Sequence, residues 1–336
     1  MRASPDYNRD LAHTRGNCNV MNLFSMKDPY VRPAHGSLFI GIAVLMSCCS
    51  TALCAGMGQP DSAAPADTDR QPVQGQSDLK WYSMITNIPG DWSRYSRLTF
   101  RQENIPAMVG MTLLTGALMV TDDQTWTMSN RFYKGSSFVH QTSDLFEYMG
   151  DGRPQFGLAA AFAVYGVAFS DKRALRTGSQ VVEAILACGS VVQVLKHLTG
   201  RESPFVSTRD GGRWDFFPNQ IQYHKHVPHY DAYPSGHIAT ALTTVTVVAE
   251  NYPEWKWVKP VGYPIVALIG ISMGNTGIHW YSDYPLGLSL GYMFGMLAAH
   301  PEGLPEESGE SESSTGLSFS PMVGANGTGV QLMFSF

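Results

Sequence analysis

Val181–Leu195 reads VVEAILACGSVVQVL and runs straight into Lys196-His-Leu-Thr-Gly-Arg201-Glu-Ser203-Pro204. The apolar run shows no alternation of period two and is too long for an ordinary strand, so it reads as a helix. Five other stretches behave alike: Ile105–Val120, Phe156–Phe169, Ile238–Ala249, Val261–Met273 and Leu286–Ala299. The expected fold class is therefore all-α, a bundle of about six helices. Each stretch has roughly 12–16 residues, short of the ~20 that cross a hydrocarbon core, and Glu183 and Gln193 interrupt the one quoted. A bundle with its own buried centre fits these lengths better than a set of membrane spans. Small residues in Gly157–Gly166 and Gly287–Ala299 permit close helix contact in either setting.

The chain has 336 residues, 44% of them hydrophobic and 15% charged, with a formal net charge of -5. That apolar content excludes a disordered chain. An acidic balance, with pI ≈ 6.0, supplies no basic face for wrapping nucleic acid, so no nucleic-acid partner is expected. Mean hydropathy of -0.11 lies between a soluble enzyme and a polytopic membrane protein and decides neither.

Ser37–Ser50, SLFIGIAVLMSCCS, has the length of a signal-peptide core. Lys27 and Arg32 form its basic flank, either after a start at Met26 or within a long leader. Cleavage near Ala55 is favoured over a lipoprotein-type site at Cys48. Of five cysteines, Cys18, Cys48, Cys49 and Cys54 fall in this presequence, which leaves Cys188 as a buried small residue and no disulfide framework. The expected location is outside the cytoplasm, in the periplasm or cell envelope and associated with the membrane. The domain reading is a presequence over 1–55, a linker over 56–80, a helical body over 81–300, an acidic linker over 301–315 and a β-hairpin over 316–336.

The hairpin rests on period-two alternation either side of Asn326-Gly327. A turn there sets Val323 opposite Val330, Pro321 opposite Leu332, Phe319 opposite Phe334 and Leu317 opposite Phe336. One hairpin is marginal alone, so it needs the bundle, or a second copy of the chain, to dock on.

Three clusters carry chemistry. Lys196 to Pro204 closes one helix, Tyr233-Pro234-Ser235-Gly236-His237 opens the next, and Ser272 to Asp283 links the last two. Ser235 is a good N-cap, and the free N–H groups behind it favour an oxyanion. Gly236 lets the backbone approach such a ligand, and His237 lies where an imidazole could protonate a leaving oxygen. His279 and Asp283, four apart, share a face, so the carboxylate can orient the ring and leave its other nitrogen as a nucleophile. Lys196 and Arg201 offer cationic donors. Taken singly, each feature has a plain structural reading as a cap, a surface pair or a dipole partner; their conjunction in order is what points to a site. His224, His226 and His229 have a metal-like spacing, but no nearby Cys or second shell supports it, and neither metal nor cofactor is expected.

These clusters resemble the type-2 phosphatidic acid phosphatase superfamily, which spans lipid phosphate phosphatases, bacterial acid phosphatases and vanadium haloperoxidases. Its pattern is Lys-x6-Arg-Pro, Pro-Ser-Gly-His and Ser-Arg-x5-His-x3-Asp on a helical bundle, and the likeness covers about residues 100–300. The second motif matches at Pro234–His237, and the third at Ser272, His279 and Asp283. The resemblance implies that His279 is a phosphohistidine nucleophile, Asp283 its partner, His237 the general acid, and Lys196, Ser235 and Gly236 a phosphate cradle. Both motif arginines are missing, replaced by Ser203 and Met273. Arg201 is the first replacement to expect, then Arg209, Arg213 and Lys225 in the long insertion before the second motif.

The implied activity is a metal-independent phosphatase acting on a phosphomonoester or diphosphate, of a lipid or a small molecule, at a membrane surface. A noncatalytic oxyanion or head-group binder on a degenerate site is the alternative, and a vanadate-dependent haloperoxidase a third.

Overall fold

The computed structural model describes residues 82–304, 317–324 and 327–334. The expected presequence, the first linker and the acidic linker from residue 305 onward lie outside them.

Eleven α-helices occur among the described residues, nine of them twelve residues or longer, in place of the expected six. They are α1 (Ser83–Thr86), α2 (Ile88–Thr99), α3 (Ile105–Met119), α4 (Asp122–Gly135), α5 (Ser137–Gly150), α6 (Arg153–Phe169), α7 (Lys172–Thr199), α8 (Gln220–Lys225), α9 (Gly236–Asn251), α10 (Val258–Thr276) and α11 (Tyr284–Ala299). All six apolar stretches are helices. The additional long ones, α2, α4 and α5, carry mixed sequences such as DDQTWTMSNRFYKG and bury polar groups, Asp122, Thr125 and Ser129 in α4 and Ser143 in α5.

α7 is the central column. Asp171 caps its start by accepting from the backbone N–H of Arg173 and Ala174. Its buried face, Val181, Ala184 and Ile185, meets Val247 and Val248 of α9, while Ala187, Cys188 and Val192 meet Leu290, Phe294 and Leu297 of α11. Burial pushes the Cys188 thiol up to about 12, as befits an inert packed residue. α10 lies on the far side of α9, through Val266, Ile269 and Met273 against Ile238 and Leu242. α11 comes so close to the start of α9 that a Cβ at Gly287 would stand 2.6 Å from the Ser235 carbonyl oxygen. This approach brings the second and third sequence clusters to one end of the bundle.

Other apolar side chains stay outside. Leu113 on α3 and Val164 and Val167 on α6 are exposed. α7 is long and apolar enough to cross a membrane, and the bent pair of Gln102–Met119 with Asp122–Gly135 passes the same test if taken as one span.

Beyond the helices, β1 (Leu317–Gly324) and β2 (Gly327–Phe334) pair antiparallel. Gly324 pairs with Gly327 and Pro321 with Val330 in the backbone register. The expected register, with Pro321 opposite Leu332, is thus displaced by two residues. An element docked on the bundle has no support among the described residues.

Candidate active site

His237 sits in the first turn of α9, and His279 follows the C-terminus of α10. Gly277 ends α10 at φ +81, and a Cβ there would run into Trp126 of α4, so the chain turns tightly before His279. The two rings meet edge to face with centroids 5.2 Å apart, and His237 Nδ1 is 3.1 Å from His279 Nε2.

The protons in this pair follow from the neighbours. His279 Nδ1 is 2.7 Å from the Ala232 carbonyl oxygen, which can only accept, so Nδ1 carries the hydrogen. In the neutral ring Nε2 then holds the lone pair, and the hydrogen between the two rings belongs to His237 Nδ1. Both rings are neutral near pH 7. Burial, with the adjacent Lys196 charge, lowers His279 to about 3. His237 is likewise lowered to about 3 by burial, by His279 and by Lys196.

Lys196, in the last turn of α7, is buried and held by Asp231, with Nζ 3.5 Å from Oδ2. A Cβ on Gly236 would lie 4.0 Å from that Nζ, so the ammonium stands beside the start of α9. Ser235 is fully buried; its Oγ makes no cap bond and has no partner. An orphaned buried hydroxyl thus stands at the N-terminus of α9, next to Gly236 and His237.

Asp283 does not orient His279 as the sequence spacing suggests. Its Oδ2 accepts from the Trp280 N–H at 2.8 Å and stands 3.6 Å from His279 Nδ1, beyond a hydrogen bond. Its Oδ1 accepts from Arg201 Nη1 at 2.5 Å. Burial raises the carboxyl to about 6 against the lowering effect of Arg201.

Arg201 itself is turned away from the expected phosphate cradle. Buried at 1% exposure, it donates to Asp283, to Ser282 Oγ at 2.7 Å, to Asp122 Oδ2 at 2.7 Å and to the Gly211 carbonyl at 2.8 Å. With its donors so occupied, the guanidinium is a buried strut behind His279. The other candidate cations are no closer substitutes: Arg213 faces Glu202 at 3.6 Å, and Arg209 and Lys225 are exposed.

The insertion between the first two clusters is ordered by Glu202, also fully buried. It accepts from the Thr208 N–H at 2.9 Å and the Arg213 N–H at 3.0 Å, and His229 Nδ1 lies 3.4 Å away. Among the described residues no group of three or more His, Cys, Asp or Glu could hold a metal ion. Sequence reasoning missed Asp122, Glu202 and Ala232 as supports.

Compared with known proteins, residues 178–301 match the PAP2 superfamily. It is 35% identical over 68 residues to a lipid A 1-phosphatase of Porphyromonas gingivalis. That match covers 20% of this chain and 15% of the relative's length. Two crystal structures are similar. LpxE of Aquifex aeolicus has a TM-score of 0.40 at 20% identity, covering 53% of this chain and 93% of that one. A transmembrane PAP2-type phosphatidylglycerolphosphate phosphatase of Bacillus subtilis has a TM-score of 0.44 at 17% identity, covering 58% and 94%.

Proposed function

We propose that this protein is an exported, membrane-associated phosphatase that removes phosphate from a lipid phosphomonoester or diphosphate through a phosphohistidine at His279. The observation that carries the reading is the tautomer of His279. Its Nδ1–H is held by the Ala232 carbonyl, so the Nε2 lone pair points at His237 beside Lys196 and the unpartnered Ser235 hydroxyl. The likeness to a lipid A 1-phosphatase favours a lipid substrate. The exposed apolar side chains of α3 and α6 favour a membrane setting.

In the first step the His237 Nδ1–H gives up its hydrogen bond to His279 Nε2, the freed lone pair forms a bond to phosphorus as the ester P–O bond breaks, and the departing oxygen takes a proton from His237. The arriving anion offsets the Lys196 charge and so allows His237 to hold that proton. Lys196, Ser235 and the free N–H groups of α9 meet the equatorial oxygens. In the second step His237 takes a proton from water, the hydroxide oxygen bonds to phosphorus, and the N–P bond breaks to return the pair of electrons to Nε2.

A noncatalytic oxyanion binder is the second reading, favoured by the buried Ser203 and Met273 where the motifs carry arginine. The test is phosphate release from phosphatidate and from p-nitrophenyl phosphate by the purified chain, with vanadate as inhibitor. Turnover lost in His279→Ala is expected. Turnover surviving that change removes the mechanism, and phosphate binding without turnover selects the second reading.

A further inference from the structure

α4 begins with Asp122-Asp123, outside the segment that matches the superfamily, yet its first residue reaches the back of the site. Asp122 is fully buried. Its Oδ2 accepts from Arg201 Nη2 at 2.7 Å and from Ser282 Oγ at 2.5 Å, and its Oδ1 from the Ser282 N–H at 3.3 Å. Arg201 therefore lies between two carboxylates, Asp122 on one edge and Asp283 on the other. Next door, Asp123 Oδ1 accepts from the Gly211 N–H at 2.9 Å, so the start of α4 holds both the insertion and the loop that carries His279.

We infer that Asp122 is a positioning residue for His279, which takes up one edge of the Arg201 guanidinium so that Asp283 keeps an uncancelled negative charge behind the imidazole. The inference rests on the reading of His279 as the group that is phosphorylated. A guanidinium paired with Asp283 alone would neutralise it and leave only Asp231, itself paired with Lys196, to stabilise the positive charge that develops on the ring. Two carboxylates about one guanidinium leave one net negative charge. A charge buried this deeply acts through low dielectric, so its loss is felt in the transition state. It makes no contact with substrate, so ground-state binding is unaffected.

The charged and titratable groups facing this centre are Arg201 and Lys196 on the positive side, Asp122, Asp283 and the Lys196-paired Asp231 on the negative side, and the neutral His279, His237, Tyr233 and Tyr284. A charge role and a shape role then separate by substitution. Asp122→Asn keeps the shape and one acceptor but loses the charge; Asp122→Glu keeps the charge on a longer stem.

Steady-state kinetics of the full chain with phosphatidate in mixed micelles and with p-nitrophenyl phosphate test this, with thermal melts of each variant. Expected is a kcat at least ten-fold lower in Asp122→Asn with KM within about three-fold, and a clearly higher kcat in Asp122→Glu than in Asp122→Asn. Wild-type kcat in Asp122→Asn, or equal losses in both variants, overturns the inference. Loss of cooperative melting in both also overturns it, since Asp122 would then hold the fold and not the ring. His279→Ala run alongside keeps the two failures apart. An active His279→Ala, or a wild-type chain that turns over neither probe, overturns the phosphohistidine reading itself; an inactive one beside an unimpaired Asp122→Asn overturns only the role of Asp122.

Discussion

Replacing Arg201 with methionine separates two roles for this residue, a phosphate clamp and a buried strut. Methionine keeps much of the stem and removes five donors, leaving the carboxylates of Asp122 and Asp283 buried with no opposite charge between them. Removing one partner from a buried ion pair costs about 3–5 kcal/mol. For a domain of ~150–250 residues each kcal/mol is about 2–4 °C, so Tm should fall by about 6–20 °C. The loss depends on pH in a defined direction. The Asp283 carboxyl, at about 6 in the fold, lies above its unfolded value of about 3.9. Its contribution to stability is therefore full below about pH 3.9 and lost as pH rises through about 6. Without Arg201 both carboxyls rise further, because the influence that lowers them is gone. Arg201→Met should accordingly be least damaging near pH 5, where the carboxyls can keep protons and only charge-assisted hydrogen bonds worth about 1.5–3 kcal/mol are missing. It should be most damaging near pH 8. Thermal melts of wild type and variant at the two pH values measure this. Equal Tm for both proteins at pH 8, together with weakened inhibition by inorganic phosphate, would return Arg201 to the phosphate cradle and refute the strut.

Lys196→Met should raise the inhibition constant for inorganic phosphate by at least ten-fold, the equivalent of one charge-assisted contact of about 1.5–3 kcal/mol, while Tm changes little; an unchanged constant would remove Lys196 from the anion site. Inorganic phosphate should raise the His237 pKa from about 3, because the bound anion offsets the Lys196 charge that holds it down. Histidine NMR titration with and without phosphate reads this directly, and identical curves would contradict it.

The helices that read clearly from sequence are those whose apolar residues do the packing. α7, α9 and α11 bury aliphatic faces against one another, and their runs are continuous. α4 was illegible because Asp122, Thr125 and Ser129 are its buried residues, so no apolar stripe marks it. The two histidines stand out in sequence because each sits in a short pattern, Pro-Ser-Gly-His and His-x3-Asp, but the groups that hold the His279 ring, the Ala232 carbonyl and His237, lie more than 40 residues upstream of it. Asp122 lies far upstream of Arg201 and Asp283, and two acids at a helix start look like an ordinary dipole-complementing turn. Arg201 was visible as a cation but not in its place. It stands two residues before Ser203, about 6–7 Å of extended chain, enough to move a guanidinium from the pocket to its rear wall.

The alignment of the two imidazoles does not depend on the lost arginines, because main-chain groups set it. The Ala232 carbonyl accepts from His279 Nδ1, and three residues on the Ser235 N–H donates to the Asp283 carbonyl oxygen at 3.0 Å. The segment that leads into His237 is thus bonded at both ends to the loop that carries His279, with α11 pressed against it at Gly287. A carbonyl fixes the ring's tautomer without adding the full charge that a directly bonded carboxylate would bring, so the imidazole stays neutral and keeps its lone pair on Nε2, where it accepts from His237 Nδ1–H. Asp283, released from that task, is left to bind Arg201 and the Trp280 N–H and to supply charge from 3.6 Å away. Geometry and electrostatics are therefore supplied by different groups. Substitutions at 203 and 273 can weaken the grip on an anion while leaving the paired rings where they are.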